Sequence, residues 1–111
     1  MSIKPQVLGQ SAPAAATPTI VYDCPAASIA EVSSIIACNR GATTDAIRVS
    51  VSINGGVTAN KDYIYYDLPL SANDTFAAEI GVALSATDLV RVYSTTGNTS
   101  FTLFGSRTYP A

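Results

Sequence analysis

Apolar and polar side chains alternate along most of this chain, and from residue 19 the period is two. Ile20, Tyr22 and Cys24 alternate with Val21 and Asp23. Val32, Ile36 and Cys38 share one parity, with Ile35 and Ala37 on the other. The clearest run is Ile47, Val49, Val51 and Ile53 against Arg48, Ser50 and Ser52, which predicts a half-buried strand with one face in water. Tyr63–Leu68, Thr75–Ile80, Leu89–Tyr93 and Ser100–Phe104 add further runs rich in β-branched and aromatic residues, the residues that pleated strands favour. Helix formers occur over 26–32, but Val32, Ile35 and Ile36 are β-branched and predict a strand from about Val32.

Turn chemistry separates these runs. Asn39-Arg40-Gly41, Asn54-Gly55-Gly56, Ser71–Asp74, Ser85–Asp88 and Thr96-Gly97-Asn98 all mark chain reversals. About seven or eight short antiparallel strands at such spacing predict an all-β fold, a single β-sandwich of jelly-roll or immunoglobulin-like type. Leu70-Ser71-Ala72-Asn73-Asp74 is echoed by Leu84-Ser85-Ala86-Thr87-Asp88. The echo reads as two equivalent corners at one end of the sandwich, held by short polar side chains. A calcium loop is the sharper alternative, but each copy offers one Asp where several carboxylates must converge.

Residues 1–18 lack the alternation. Pro5, Pro13 and Pro18 remove backbone donors, so this stretch is expected as an extended Pro/Ala-rich arm rather than a central strand, ahead of a sandwich domain over 19–111. Such an arm would be dispensable for folding and would lie on its own domain or a neighbour. Ile3, Pro5, Val7 and Leu8 are its candidate protein-contact residues. Tyr63 and Tyr65 are the second candidates. If the aliphatic face of their strand is the core, both rings project outward, as at protein interfaces and sugar sites. A partly buried cross-strand ladder is the alternative.

Composition narrows the function. Apolar residues make up 48% and charged residues 13%, about half the usual charged share, so part of the surface is expected to meet a protein partner. The net charge is −2 and the six basic residues are scattered singly, so no stripe for a nucleic-acid backbone is visible. No apolar run is long enough to span a bilayer, and no signal-peptide pattern is present. With no histidine, the commonest general base and metal ligand are missing, so neither catalysis nor a cofactor is expected. Asp62 and Asp67 flank the tyrosine-rich strand, but they read as solvated strand-edge acids rather than a glycosidase pair. Cys24 and Cys38 read as buried thiols, with a disulfide as the alternative.

Several segments taken in order carry a resemblance. They are Leu8–Ala15, Val21-Tyr22-Asp23-Cys24-Pro25-Ala26, Ala37-Cys38-Asn39-Arg40-Gly41, Tyr63–Leu70, Asn73-Asp74-Thr75 and Ser100–Gly105. Over about residues 7–105 the chain resembles small virion structural proteins of tailed phages, cyanophages among them. The resemblance implies a virion component, a capsid decoration (cement) protein first. Its partners would be the major capsid protein and itself, as a trimer or dimer. It would sit on the outer capsid surface, after assembly in the host cytoplasm. The alternative within the same resemblance is a tail-fibre or baseplate module that binds host glycan through the tyrosines.

Overall fold

The computed structural model describes residues 2–109. Eight strands form: β1 Ser2–Ser11, β2 Thr19–Asp23, β3 Ala30–Asn39, β4 Asp45–Ser52, β5 Tyr63–Leu70, β6 Thr75–Leu84, β7 Leu89–Ser94 and β8 Thr99–Tyr109. The only helical pieces among the described residues are two 3-10 turns between β4 and β5, at Ile53–Gly55 and Asn60–Asp62. The chain is therefore all-β, and every strand pairing is antiparallel.

The strands form two four-stranded sheets, ordered β1-β8-β3-β6 and β2-β7-β4-β5. The first strand pairs with the eighth, the second with the seventh, the third with the sixth and the fourth with the fifth. This is one long antiparallel hairpin folded over on itself, the wrapping of a jelly roll. It decides between the two sandwich types that the strand count alone left open.

Alternation builds the core, except that the register break between Val32 and Ser34 in β3 puts Val32 on the same face as Ile35 and Ala37 rather than with Ile36 and Cys38. Val32, Ile35, Ala37, Phe101 and Leu103 from one sheet meet Ile47, Val49, Val90 and Val92 from the other, all at most 2% exposed. Along one side the sheets approach closely, because a Cβ on Gly9 of β1 would lie 2.1 Å from the Val21 carbonyl oxygen of β2. On the opposite side, the Tyr65 ring of β5 meets the Phe76 ring of β6 edge-on at 5.2 Å.

The amino-terminal segment departs from expectation. Residues 2–11 form edge strand β1, paired with β8 from Ser2↔Tyr109 to Ser11↔Phe101, rather than an arm outside the sandwich. Pro5 is compatible with this because of where it falls. It lies opposite Ser106, in the stretch of β8 where the Thr108 N–H bonds toward Ile29 and the even-numbered residues therefore face β3. The missing donor of Pro5 points away from β8 and costs no ladder bond. Residues 12–18 do form a connection, with Pro13 buried and the Ala16 N–H donating to the Ser94 carbonyl at 2.9 Å.

Two further expectations change. The polar face of β4 is only partly in water: Arg48 is half-buried, and Ser50 and Ser52 are 3% and 1% exposed. The loop after β4 folds back toward this face. Arg91 of β7 pins it, donating to the Ser52 hydroxyl, the Gly56 carbonyl and the Thr58 hydroxyl at 2.9, 3.0 and 3.3 Å. The echoed turns do share a conformation, with Asn73 and Thr87 at φ 56° and 70°. They lie at opposite ends of β6, however, separated by ten strand residues, and not at one end of the sandwich.

Candidate functional site

β1 brings three of the four expected arm residues onto one face. Ile3, Pro5 and Val7 alternate outward on the solvent side of the first sheet, with Ile3 67% and Val7 48% exposed. Val7 sits opposite Phe104, and Phe104 opposite Ser34, so all three share the outer face. Ile29, 59% exposed, extends the apolar surface beside Ile3. A shallow hollow of about 280 Å³ lies there, lined by Ile3, Ile29, Ala83, Leu84 and Arg107 among others. Leu8 is the exception. The register breaks between Val7 and Gly9, which makes Leu8 an extra residue that turns inward and packs against the core. Leu8 is therefore an internal contact rather than part of an outward surface.

β5 treats the tyrosines in a way the alternation did not predict. Two register breaks against β4 fall within it. Val49, an inner residue, opposes Tyr65, so Tyr65 points inward and joins the core margin beside Phe76. Ser50, an outer residue, opposes Tyr63, so Tyr63 lies on the outer face. Ile64 is the extra residue between them and lines an apolar gap with Val51, Ile80 and Val82. At the second break Tyr66 and Asp67 together oppose Arg48, with Asp67 at φ 51°. Tyr63 and Tyr65 thus point to opposite faces and are not a matched outward pair.

The second break assembles a cluster on the outer face of the second sheet. The Arg48 guanidinium lies over the Tyr66 ring at 4.3 Å and the Tyr93 ring at 4.4 Å. Its Nε donates to the Asp67 carboxylate at 2.7 Å. Hydrogen bonding to Asp67 pushes the guanidinium pKa further up. Tyr63 meets Tyr66 edge-on at 4.8 Å, and Tyr66 is 59% exposed. Planar guanidinium stacking between rings holds flat, amphipathic groups rigid at low entropic cost. Sequence patterning missed Arg48, Tyr66, Asp67 and Tyr93 as a group. The visible signal was an arginine in the middle of the alternating run Ile47–Ser52, but its neighbours depended on register.

Three buried acidic residues, Asp45, Asp62 and Asp88, accept hydrogen bonds from the chain around them. Asp62 is 8% exposed, which corrects its reading as a solvated acid. It accepts from the Ala59 N–H at 2.9 Å, the Ser52 hydroxyl at 3.1 Å and the Lys61 ammonium at 3.1 Å. The Ala59 N–H and then Lys61 hold its carboxyl below the usual carboxylate range. Asp45, 1% exposed, accepts from the hydroxyls of Ser94 and Thr99 and the N–H groups of Thr96 and Ala46. Burial pushes its pKa up, but these hydrogen bonds together outweigh burial and bring it down. Asp88 accepts from the backbone N–H groups of Asn54 and Ser85, both at 2.9 Å.

Among the described residues no three His, Cys, Asp or Glu side chains converge to hold a metal ion. Cys24 is buried and Cys38 half-buried, and the two are not bonded. No helix among the described residues is long and apolar enough to cross a membrane. No family model matches the chain, and no curated protein matches it.

Proposed function

We propose that the chain is a virion structural protein of a tailed phage, a capsid decoration (cement) protein that binds the major capsid protein and stabilises the lattice. The observation that carries this reading is the uncharged row Ile3, Pro5 and Val7 on an edge strand, with Ile29 beside it. Such a surface gains free energy by being covered, at about 25 cal/mol per Å² of apolar area removed from water. Jelly rolls serve both capsids and lectins, so the fold alone does not choose between them. Many copies on a repeating lattice reach firm attachment through weak individual contacts.

The test is co-sedimentation with heads of the encoding phage from which this chain has been removed. Ile3→Lys combined with Val7→Lys changes only exposed side chains. It is expected to keep the fold and to lower occupancy at least tenfold. Full occupancy by the double variant would reject β1 as the contact.

A second reading follows from the Arg48–Tyr66–Tyr93 cluster. An exposed ring beside a fixed guanidinium suits the flat face of a sugar, which points to a tail-fibre or baseplate module binding host glycan. Under that reading Tyr66→Ala abolishes adsorption to host cells and leaves head binding untouched.

A further inference from the structure

The four sheet edges are guarded unequally. β1 carries Pro5 on its open side. β2 has only five residues, and its register breaks after Ile20. β5 has two register breaks and Pro69. β6 runs for ten residues with no proline and one charged side chain, Glu79. Its pairing with β3 is regular from Thr75 to Glu79 and becomes irregular only at Ile80 and Gly81, opposite Ser33.

The hydrogen-bond phase of this edge is fixed. The Asn39 N–H donates to the Asp74 carbonyl at 2.9 Å, in register with Cys38↔Thr75. Alternation along the ladder then turns the backbone groups of Phe76 and Ala78 toward β3. The N–H and C=O groups of Thr75, Ala77 and Glu79 face outward, beyond the last strand of the sheet. Unpaired rows of this kind are templates for another strand.

We propose that β6 pairs with β6 of a second copy of this chain, antiparallel about a two-fold axis at Ala77. The two four-stranded sheets then become one of eight strands. A two-fold interface must be complementary to itself, and this register is. Ala77 opposes Ala77, and Thr75 opposes Glu79 of the second copy, so every outward-facing backbone group meets another. On the outer face the smallest side chain lies at the axis, and each Thr75 hydroxyl can donate to a Glu79 carboxylate. On the inner face Phe76 of each copy lies beside Ala78 of the other, a large side chain against a small one. A register centred on Glu79 would set two carboxylates directly opposite, which disfavours it. The irregularity at Ile80 and Gly81 ends the pairing, and Pro5 on the far edge stops the sheet from growing further.

Five paired residues bury well under the roughly 1,200–2,000 Å² of a standard interface, so the dimer dissociates in the micromolar to millimolar range. The inference stands on the β6 edge alone and does not depend on the phage reading.

Sedimentation velocity of the full chain over that range tests it. One copy is 11.5 kDa, and the mass is expected to double as concentration rises. Ala77→Pro removes an N–H that bonds nothing within the chain. Ala77→Lys sets two ammonium groups at the axis from an exposed position. Both variants are expected to keep the wild-type circular dichroism spectrum and to shift the dissociation constant at least tenfold upward. Added salt should partly rescue the lysine variant and not the proline variant. Exchange of the Ala77 amide should slow as wild-type concentration rises. A chain that stays monomeric at about 1 mM would overturn the proposal, as would a trimer or a dimer that neither variant weakens.

Discussion

At Asp45 a single carboxylate ties together the ends of three strands. It lies at the start of β4 and accepts hydroxyls from Ser94 at the end of β7 and Thr99 at the start of β8. Removing the charge leaves the Thr96 and Ala46 N–H groups facing an amide. Asp45→Asn is expected to cost about 2 kcal/mol, read as a lower urea midpoint at unchanged slope. The pH dependence has a definite sign. Asp45 and Asp62 both titrate below their ordinary value of 3.8 in the folded chain. Their contribution is therefore complete above that value and is lost as pH falls through the lower folded values. Urea midpoints should hold from pH 7 to about pH 5 and drop below about pH 4, more shallowly for Asp45→Asn. Neither buried role was legible in the sequence. Asp45 follows Thr44 and Asp62 follows Lys61, ordinary turn vocabulary, and the hydroxyls they accept come from residues well away in the chain, Ser94 and Thr99 for Asp45 and Ser52 for Asp62.

At the level of strands, close approach sets the tolerances. A Cβ on Gly105 of β8 would fall 1.9 Å from the Glu31 carbonyl oxygen of β3, whereas one on Gly81 of β6 meets nothing within 4 Å. Gly105→Ala is expected to cost about 3 kcal/mol by overpacking against backbone. Gly81→Ala should be neutral or stabilising by up to about 0.5 kcal/mol, and thermal melts of the pair measure the contrast. The strands themselves were readable because alternation is local, and Ile47 and Val49 of β4 and Phe101 and Leu103 of β8 point into the core as the pattern says, while Ile53 falls past the end of β4 and is 71% exposed. Facing was unreadable wherever a bulge intervened. One extra residue inverts every side chain beyond it, so Ile64 and Asp67 undo the parity that set Tyr63 and Tyr65 together. Leu8 is turned inward by the same device in β1.

For the whole molecule, the pairing of the first strand with the last governs what can be removed. β1 lies against β8, and Leu8 packs on the core, so loss of residues 2–11 strips one edge of a sheet. The truncated chain is expected to lose at least about 3 kcal/mol of stability or to fail to fold, visible as a lost or lowered thermal transition. Wrapping of this kind joins residues a whole chain apart, and strand patterning carries no record of it. The all-β class and the seven strands from residue 19 onward were legible, and the edge strand β1 and the jelly-roll order were not. The apolar row on β1 keeps its proposed role, but as part of a rigid sheet rather than a free arm, which lowers the entropy lost on docking. In the proposed role this sheet covers a repeating protein lattice, and the molar ratio of this chain to the major capsid protein in purified particles tests that role. The ratio is expected near a small whole-number fraction, with on the order of hundreds of copies per particle. A handful of copies, or none in the head fraction, would contradict it.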